Sequence, residues 1–157
     1  MVTVTSFGFY YSESDAKVTI GQQVITALQR SSVHEFSALF PTVADFHALM
    51  VSNAELYGEN LSEAAREFEK EFELVLYPQF QRSFESILRQ GKAAGIDWRT
   101  IELVSAEVPD AKNGEFTSGP MTITFNAQGM THKLKVEKAL MINGDWKLSQ
   151  YMHLEGY

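Results

Sequence analysis

Residues 130–154 hold two stretches of alternating apolar and polar side chains on either side of a short turn. Successive side chains of a β-strand point to opposite faces of a sheet, so this alternation predicts two half-buried strands. Asn143 and Gly144, followed by Asp145, accept the positive φ angles that a tight hairpin requires. The sequence therefore predicts a long β-hairpin. One face is expected to carry Met130, His132, Leu134, Val136, Lys138, Leu140 and Ile142 from the first strand, and Trp146, Leu148, Gln150, Met152 and Leu154 from the second.

Three polar residues interrupt the apolar face of this predicted hairpin, namely His132, Lys138 and Gln150. A buried polar group without a hydrogen-bond partner costs about 1 to 3 kcal/mol, so each needs a partner or water. A sheet that lines a wet pocket explains all three residues. Strand ends and the rim of the core explain them equally well, because polar residues there stay near water. The sequence leaves both interpretations open.

Helical spacing dominates residues 14–95. Apolar side chains recur there at intervals of three and four, which is the period of one face of an α-helix. Thr42 with Asp45, and Asn60 with Glu63, predict the N-terminal caps of two successive helices. The sequence therefore predicts several amphipathic helices in the first two thirds of the chain.

Two prolines divide this helical region. Pro41 is predicted to end the first helical stretch, and Pro78 to kink or break the helix that begins near Asn60. A further helix is expected to end near Gly95. Before the helices, residues 1–11 are rich in aromatic, Val and Thr residues and predict an edge strand.

Strand alternation replaces the helical period after Gly95, in residues 101–104 and again in residues 121–126. Residues 109–114, which contain Pro, Asp, Asn and Gly, predict a loop between these strands. Helices first and antiparallel strands last predict an α+β fold, with the N-terminal helices packed on one face of a curved, mainly antiparallel C-terminal sheet. A chain of 157 residues is expected to form one domain, residues 1–157.

Composition excludes several classes of function. The net charge of -7 argues against nucleic acid as a partner and gives no reason to expect binding to an anionic membrane surface. The chain has no cysteine, so disulfides, thiol nucleophiles and cysteine-ligated metals are excluded. Residues 1–11 lack the basic and apolar regions of a signal peptide, and no apolar run is long enough to span a bilayer. A soluble protein is expected, either cytoplasmic or the mature form of an exported one.

The motifs of several common enzyme classes are missing as well. The chain has no Gly-x-Ser-x-Gly motif, no phosphate-binding loop and no dinucleotide-binding glycine spacing. Its histidines show no paired spacing of the kind that a helix-borne metal site uses. The sequence therefore predicts neither a cofactor nor a metal. The four histidines are His34, His47, His132 and His153.

The order of these predicted elements, and the closing sequence Asn-Gly-Asp-Trp-Lys-Leu at residues 143–148, resemble the nuclear transport factor 2-like superfamily, also called cystatin-like. Residues 39–42 (Leu-Phe-Pro-Thr) with Asp45, and residues 95–98 (Gly-Ile-Asp-Trp), are similar to a little-characterised bacterial branch of that superfamily. The resemblance covers about residues 14–155. It implies a cone of helices and bent sheet whose open end holds a small apolar molecule, and a homodimer formed through the sheet.

Members of that superfamily include ketosteroid isomerase, scytalone dehydratase and polyketide cyclases, together with binding and transport proteins that catalyse nothing. None of their catalytic motifs matches this chain position by position, so catalytic residues stay unknown. The predicted function is the binding of a small apolar molecule. The alternatives are a cofactor-independent isomerase, dehydratase or cyclase that uses acid/base catalysis in the cone, and a non-catalytic protein-interaction module.

The residues predicted to bind the ligand combine titratable and hydrogen-bonding side chains from both halves of the chain. His132 is the leading acid/base candidate, because histidine titrates near neutral pH. A symmetric homodimer is expected to form through the outer face of the sheet, where Ala139, Met141 and Tyr151 are predicted to lie. The predicted ligand-binding residues are His47, Tyr57, Glu107, His132 and Gln150.

Overall fold

The computed structural model describes residues 13–109, 112–113 and 117–157. The strand predicted for residues 1–11 lies outside this range. Within it, six α-helices come first and six β-strands follow, so the predicted α+β order is confirmed. The helices are α1 (Glu13–Arg30), α2 (Val33–Ser37), α3 (Val43–Ser52), α4 (Ala54–Tyr57), α5 (Leu61–Glu71) and α6 (Tyr77–Ala93). The strands are β1 (Glu102–Glu107), β2 (Lys112–Asn113), β3 (Thr117–Ala127), β4 (Met130–Ile142), β5 (Asp145–Leu148) and β6 (Met152–Leu154).

Helix boundaries follow the predicted caps in one case and depart from them in another. At α3 the Thr42 hydroxyl accepts a hydrogen bond from the Asp45 N–H, and the Asp45 side chain accepts one from the Thr42 N–H. This reciprocal capping box is confirmed. At α5 the helix begins at Leu61 as predicted, but the Asn60 side chain makes no capping hydrogen bond, so its predicted role as a cap is wrong.

Pro78 does not break the helical region. A π-helical turn, Phe72–Leu76, joins α5 to α6, and Pro78 lies in the first turn of α6. Proline is tolerated in a first turn because the N–H that it lacks has no partner within the helix there. The wider π turn absorbs the local change in geometry, so the chain continues as one helical segment.

The strands form one curled antiparallel sheet in the order β1-β3-β4-β5, with β2 beside β3 and β6 beside β4. The β4–β5 hairpin turns at Asn143 and Gly144, whose φ angles are +52° and +85°, as the sequence predicts. The loop predicted for residues 109–114 is wrong at Lys112 and Asn113, which form the short strand β2 and pair with the start of β3.

The face assignment of the hairpin changes halfway along β4. The β3–β4 register shifts between Gly119 and Met121, so one residue of β3, Pro120, lies opposite two residues of β4, Glu137 and Lys138. Such a bulge reverses which side chains point to a given face. Proline supports it, because proline donates no ladder hydrogen bond.

As a result, the predicted single face of β4 is correct only as far as Val136. Ala139 is fully buried in the core and Met141 packs against it, whereas Leu140 and Ile142 lie on the opposite face with Lys138. The prediction that Ala139 and Met141 lie on the outer face is therefore wrong. Tyr151, the third residue predicted there, is 55% exposed.

The core lies between α1, α2 and α6 on one side and the inner face of the sheet on the other. Two contacts fix α6 in place. Ser83 donates a hydrogen bond to the Met152 carbonyl (2.9 Å) and accepts one from the Met152 N–H (3.3 Å). Gly91 meets the Trp98 indole so closely that a Cβ atom there would lie 1.9 Å from the ring. Among the described residues, no helix is both long and apolar enough to cross a bilayer.

Candidate functional site

His132 lies on the inner face of the sheet, near the turn between β3 and β4. Its ring stacks on Phe125, the residue opposite it in β3, with 5.4 Å between ring centroids and 23° between ring planes. The Nε2 atom of His132 is buried and has no hydrogen-bond partner. The residue is therefore a half-buried member of an aromatic row that continues from Phe125 to Trp98.

The other predicted ligand-binding residues lie apart from His132. His47 is exposed on α3 and lines a cavity between α3 and α5, whereas Gln150 is exposed and lines another cavity beside α6. Glu107 is exposed at the end of β1. Tyr57 ends α4, and its side chain is not among those that the structure describes. The described side chains of this set do not share one cavity, and their binding to a ligand stays a prediction.

The inner sheet face is packed where an open pocket was expected. Leu148 is fully buried and Met152 is 3% exposed, and both belong to the cluster of core side chains that includes Phe80 and Phe84 of α6. The apolar neighbours expected to surround a ligand at Gln150 therefore contact helix side chains instead.

A cavity of about 440 Å³ lies elsewhere, between α1, the end of α2 and strand β5. We call it the edge cavity, because β5 is an edge strand of the sheet. Helix α1 presents polar side chains at three- and four-residue intervals, which places them on one face. Ile20 and Leu39 supply apolar wall, and β5 contributes Asp145, Trp146 and Lys147. The polar wall from α1 comprises Thr19, Gln22, Gln23 and Thr26.

Two residues of the edge cavity carry buried polar atoms without a hydrogen-bond partner. These atoms are Oε2 of Glu35 and the indole Nε1 of Trp146. The other oxygen of Glu35, Oε1, accepts a hydrogen bond from Nη1 of Arg30 at 2.6 Å. One acceptor and one donor therefore stay unpaired in two residues that line a single cavity, and each costs about 1 to 3 kcal/mol unless water or a ligand satisfies it.

Helix α2 is joined to the sheet edge beside this cavity. The N–H of Leu148 donates a hydrogen bond to the carbonyl of Leu39, at 2.8 Å. This bond anchors the segment after α2 along β5 and fixes the position of Glu35 relative to Trp146. The position of Glu35 relative to Trp146 therefore depends on a main-chain hydrogen bond. The side-chain pattern of the sequence does not reveal such a bond.

The sequence analysis missed Glu35 and Trp146 for different reasons. Glu35 resembles any charged residue on the exposed side of a short helix, and nothing in its spacing marks it. Trp146 was assigned to the apolar face of the hairpin, which is where it lies. The signal that the prediction overlooked is chemical, because a buried tryptophan normally needs a partner for its indole N–H.

A further cavity between α6 and β6 holds groups that resemble a catalytic set. Ser86, Glu137 and His153 line it together with Gln90, whose Oε1 atom is buried without a partner. Nδ1 of His153 lies 3.6 Å from Oε1 of Glu137, which is too far for a good hydrogen bond. Among the described residues no serine or threonine hydroxyl hydrogen-bonds to an imidazole, so this set lacks the contact that activates a nucleophile.

Asp97 and Arg99, which have shifted pKa values, line none of these cavities. Side-chain and main-chain hydrogen bonds from Arg99 lower the pKa of Asp97, and the same contact raises the pKa of Arg99. Both residues are on the surface, in the turn before β1. In the described part of the chain, no three His, Asp or Glu side chains gather closely enough to hold a metal ion.

Comparison of the sequence with protein-family models gives no match, and neither does comparison with curated protein sequences. Among solved structures, the chain is similar to a phospholipid-binding protein from Ralstonia solanacearum that was solved in complex with a phospholipid. The two share 15% sequence identity with a TM-score of 0.45, and the alignment covers 94% of this chain and 80% of the other.

Proposed function

We propose that this protein binds a small, largely apolar molecule in the edge cavity. The observation that carries the proposal is that two residues that line one cavity, Glu35 and Trp146, each have a buried polar atom without a partner, Oε2 and Nε1 respectively. Binding sites are typically apolar clefts in which a few polar groups orient the ligand. Ile20 and Leu39 give this cavity its apolar wall.

The two unpaired atoms favour a ligand with one acceptor and one donor. The indole N–H of Trp146 can only donate, and the free oxygen of an ionised Glu35 can only accept. Arg30 already compensates the charge of Glu35, so the ligand does not have to be a cation. A neutral molecule with an apolar body and a short polar group meets both requirements.

The proposal is tested by filling the cavity. Ala38 is an exposed residue in the cavity wall, so Ala38→Trp places a large ring there without disturbing the core. Ala48 is also an exposed alanine, but it lies inside α3 and does not line the cavity, so Ala48→Trp is the control.

Binding is measured by the fluorescence of Nile red, an apolar dye, and by native mass spectrometry of the protein as purified. We expect the wild type and Ala48→Trp to bind the dye alike and Ala38→Trp to lose most of that binding. A co-purified molecule should likewise be missing from Ala38→Trp alone. Equal dye binding by all three proteins, or by none of them, would refute the proposal.

We also propose that the chain is a member of the nuclear transport factor 2-like superfamily. The support for this is the resemblance of residues 143–148 and of the element order, together with a bent antiparallel sheet that follows the helices. Homodimerisation through the outer sheet face is a further proposal that depends on the same resemblance. Tyr151 is exposed and available for such a contact, and light scattering on wild type and Tyr151→Ser decides whether a dimer forms through it.

A further inference from the structure

The main chain of β5 has one side that none of the described strands covers. In the part of the chain that the structure describes, β5 pairs with β4 alone, so its other side is a free edge. In an antiparallel pair, facing residues alternate between those that exchange hydrogen bonds and those whose N–H and C=O groups point away from the partner. The N–H of Leu148 points away, because it donates to the carbonyl of Leu39 on the outside of the sheet.

Trp146 is two residues before Leu148 on the same strand, so its N–H and C=O point to the same free edge. No hydrogen bond from the described residues reaches either group. Trp146 is nevertheless 2% exposed, and it lines the edge cavity. The residue therefore leaves a main-chain donor and a main-chain acceptor unpaired in addition to its indole N–H, and buried main-chain groups of this kind are rare in proteins.

We propose that the ligand of the edge cavity contains a cis secondary amide, as in a lactam, whose carbonyl accepts from the N–H of Trp146 and whose N–H donates to the carbonyl of Trp146. The proposal rests on the proposed function, since it concerns the ligand of the same cavity. Leu39 provides the internal precedent, because its own amide carbonyl already makes the equivalent bond to Leu148. Strand edges also bind main-chain amide groups in many peptide-binding proteins.

The free edge is too short for an extended peptide. Leu39 occupies the position beside Leu148, and the hairpin turn at Asn143 and Gly144 ends the strand on the other side. Only the two groups of Trp146 stay available between them. A volume of about 440 Å³ likewise suits a compact molecule with a single amide and apolar substituents, which contact Ile20 and Leu39.

Three probes of similar shape separate the contribution of the amide carbonyl to affinity from that of the amide N–H. The lactam 5-pentylpiperidin-2-one has both the carbonyl and the N–H on one side, the lactone 5-pentyloxan-2-one has the carbonyl alone, and the cyclic ether 3-pentyloxane has neither. Their affinities are measured by displacement of Nile red. We expect the amide to bind about 2- to 12-fold more tightly than the ester, which is the contribution of one neutral hydrogen bond. The ester should exceed the ether by a similar factor.

Hydrogen exchange of the labelled protein, followed by NMR, locates the contact. The amide of Leu148 should exchange slowly in every sample, since it is bonded to Leu39. The amide of Trp146 should exchange faster in the free protein and slow down when the amide or the ester binds, but not when the ether binds. Ala38→Trp should remove the effect, and Ala48→Trp should retain it.

The outcomes distinguish this inference from the proposed function. Equal affinity for the three probes, all blocked by Ala38→Trp, would mean that the cavity binds apolar molecules without recognising an amide. Unchanged exchange at Trp146 in the presence of bound amide would overturn the inference in the same way. If the wild type binds none of the probes and also fails to bind Nile red, the proposed function fails together with it.

Discussion

Gly91→Ala tests the contact that fixes the end of α6 against the sheet. A Cβ atom at this position would lie 1.9 Å from Cζ2 and 2.4 Å from Cε2 of Trp98. Replacement of glycine by alanine inside a helix normally stabilises a protein by about 0.5 to 1 kcal/mol. Gly91→Ala should instead destabilise the protein, because the indole ring of Trp98 is buried among core side chains and has little room to move.

The magnitude follows from two costs and one gain. Overpacking of a core typically costs about 1 to 3 kcal/mol. Displacement of the ring also endangers the hydrogen bond from Nε1 of Trp98 to the carbonyl of Leu88, at 3.1 Å, which contributes about 0.5 to 1.5 kcal/mol. After the helix-propensity gain is subtracted, Gly91→Ala should lower the free energy of unfolding by about 1 to 3 kcal/mol.

Chemical denaturation followed by circular dichroism measures this change. Ala93→Gly, at the exposed last residue of the same helix, is the control and should cost at most about 0.5 to 1 kcal/mol through propensity alone. Trp98→Phe removes the atoms that clash, so it should cost less in the Gly91→Ala background than in the wild type. A Gly91→Ala protein as stable as the wild type, or more stable, would refute the packing argument.

Three further substitutions test other parts of the structure. Ser83→Ala should lower the free energy of unfolding by about 2 to 4 kcal/mol, because it leaves both main-chain groups of Met152 unpaired in the core. Ser86→Ala breaks no described bond and should lower the free energy of unfolding much less. Thr42→Ala should cost about 0.5 to 2 kcal/mol by removing the cap of α3, as measured by denaturation against Thr42→Ser. Arg99→Gln should lower stability at neutral pH. The lowered pKa of Asp97 contributes stability above its unfolded-state value, so the difference from the wild type should vanish as the pH falls below about 4; a constant difference would contradict the assignment.

Local chemistry made much of the fold predictable. The change from helical to strand spacing at Gly95, the capping box at Thr42 and the turn at Asn143 and Gly144 each depend on residues that are close in the sequence. A side-chain period or a φ preference needs no knowledge of what lies across the core. For that reason the α+β order and the positions of most elements follow from the sequence.

The face of the hairpin was predictable only up to the bulge. Two consecutive polar residues, Glu137 and Lys138, interrupt the alternation in β4, but the proline that shifts the register lies in the neighbouring strand. Register is a property of two strands together. The pattern of one strand therefore cannot show that its side chains change faces.

The edge cavity was decided by tertiary structure alone. Glu35 and Trp146 come from distant parts of the chain, and the hydrogen bond between Leu148 and Leu39 brings their elements together. Among the predicted site residues, Gln150 lies exposed at the break between β5 and β6, whereas His132 stacks on Phe125 and its buried Nε2 has no partner. The sequence determines which polar groups need partners, whereas only the packed chain determines which of them are left without one.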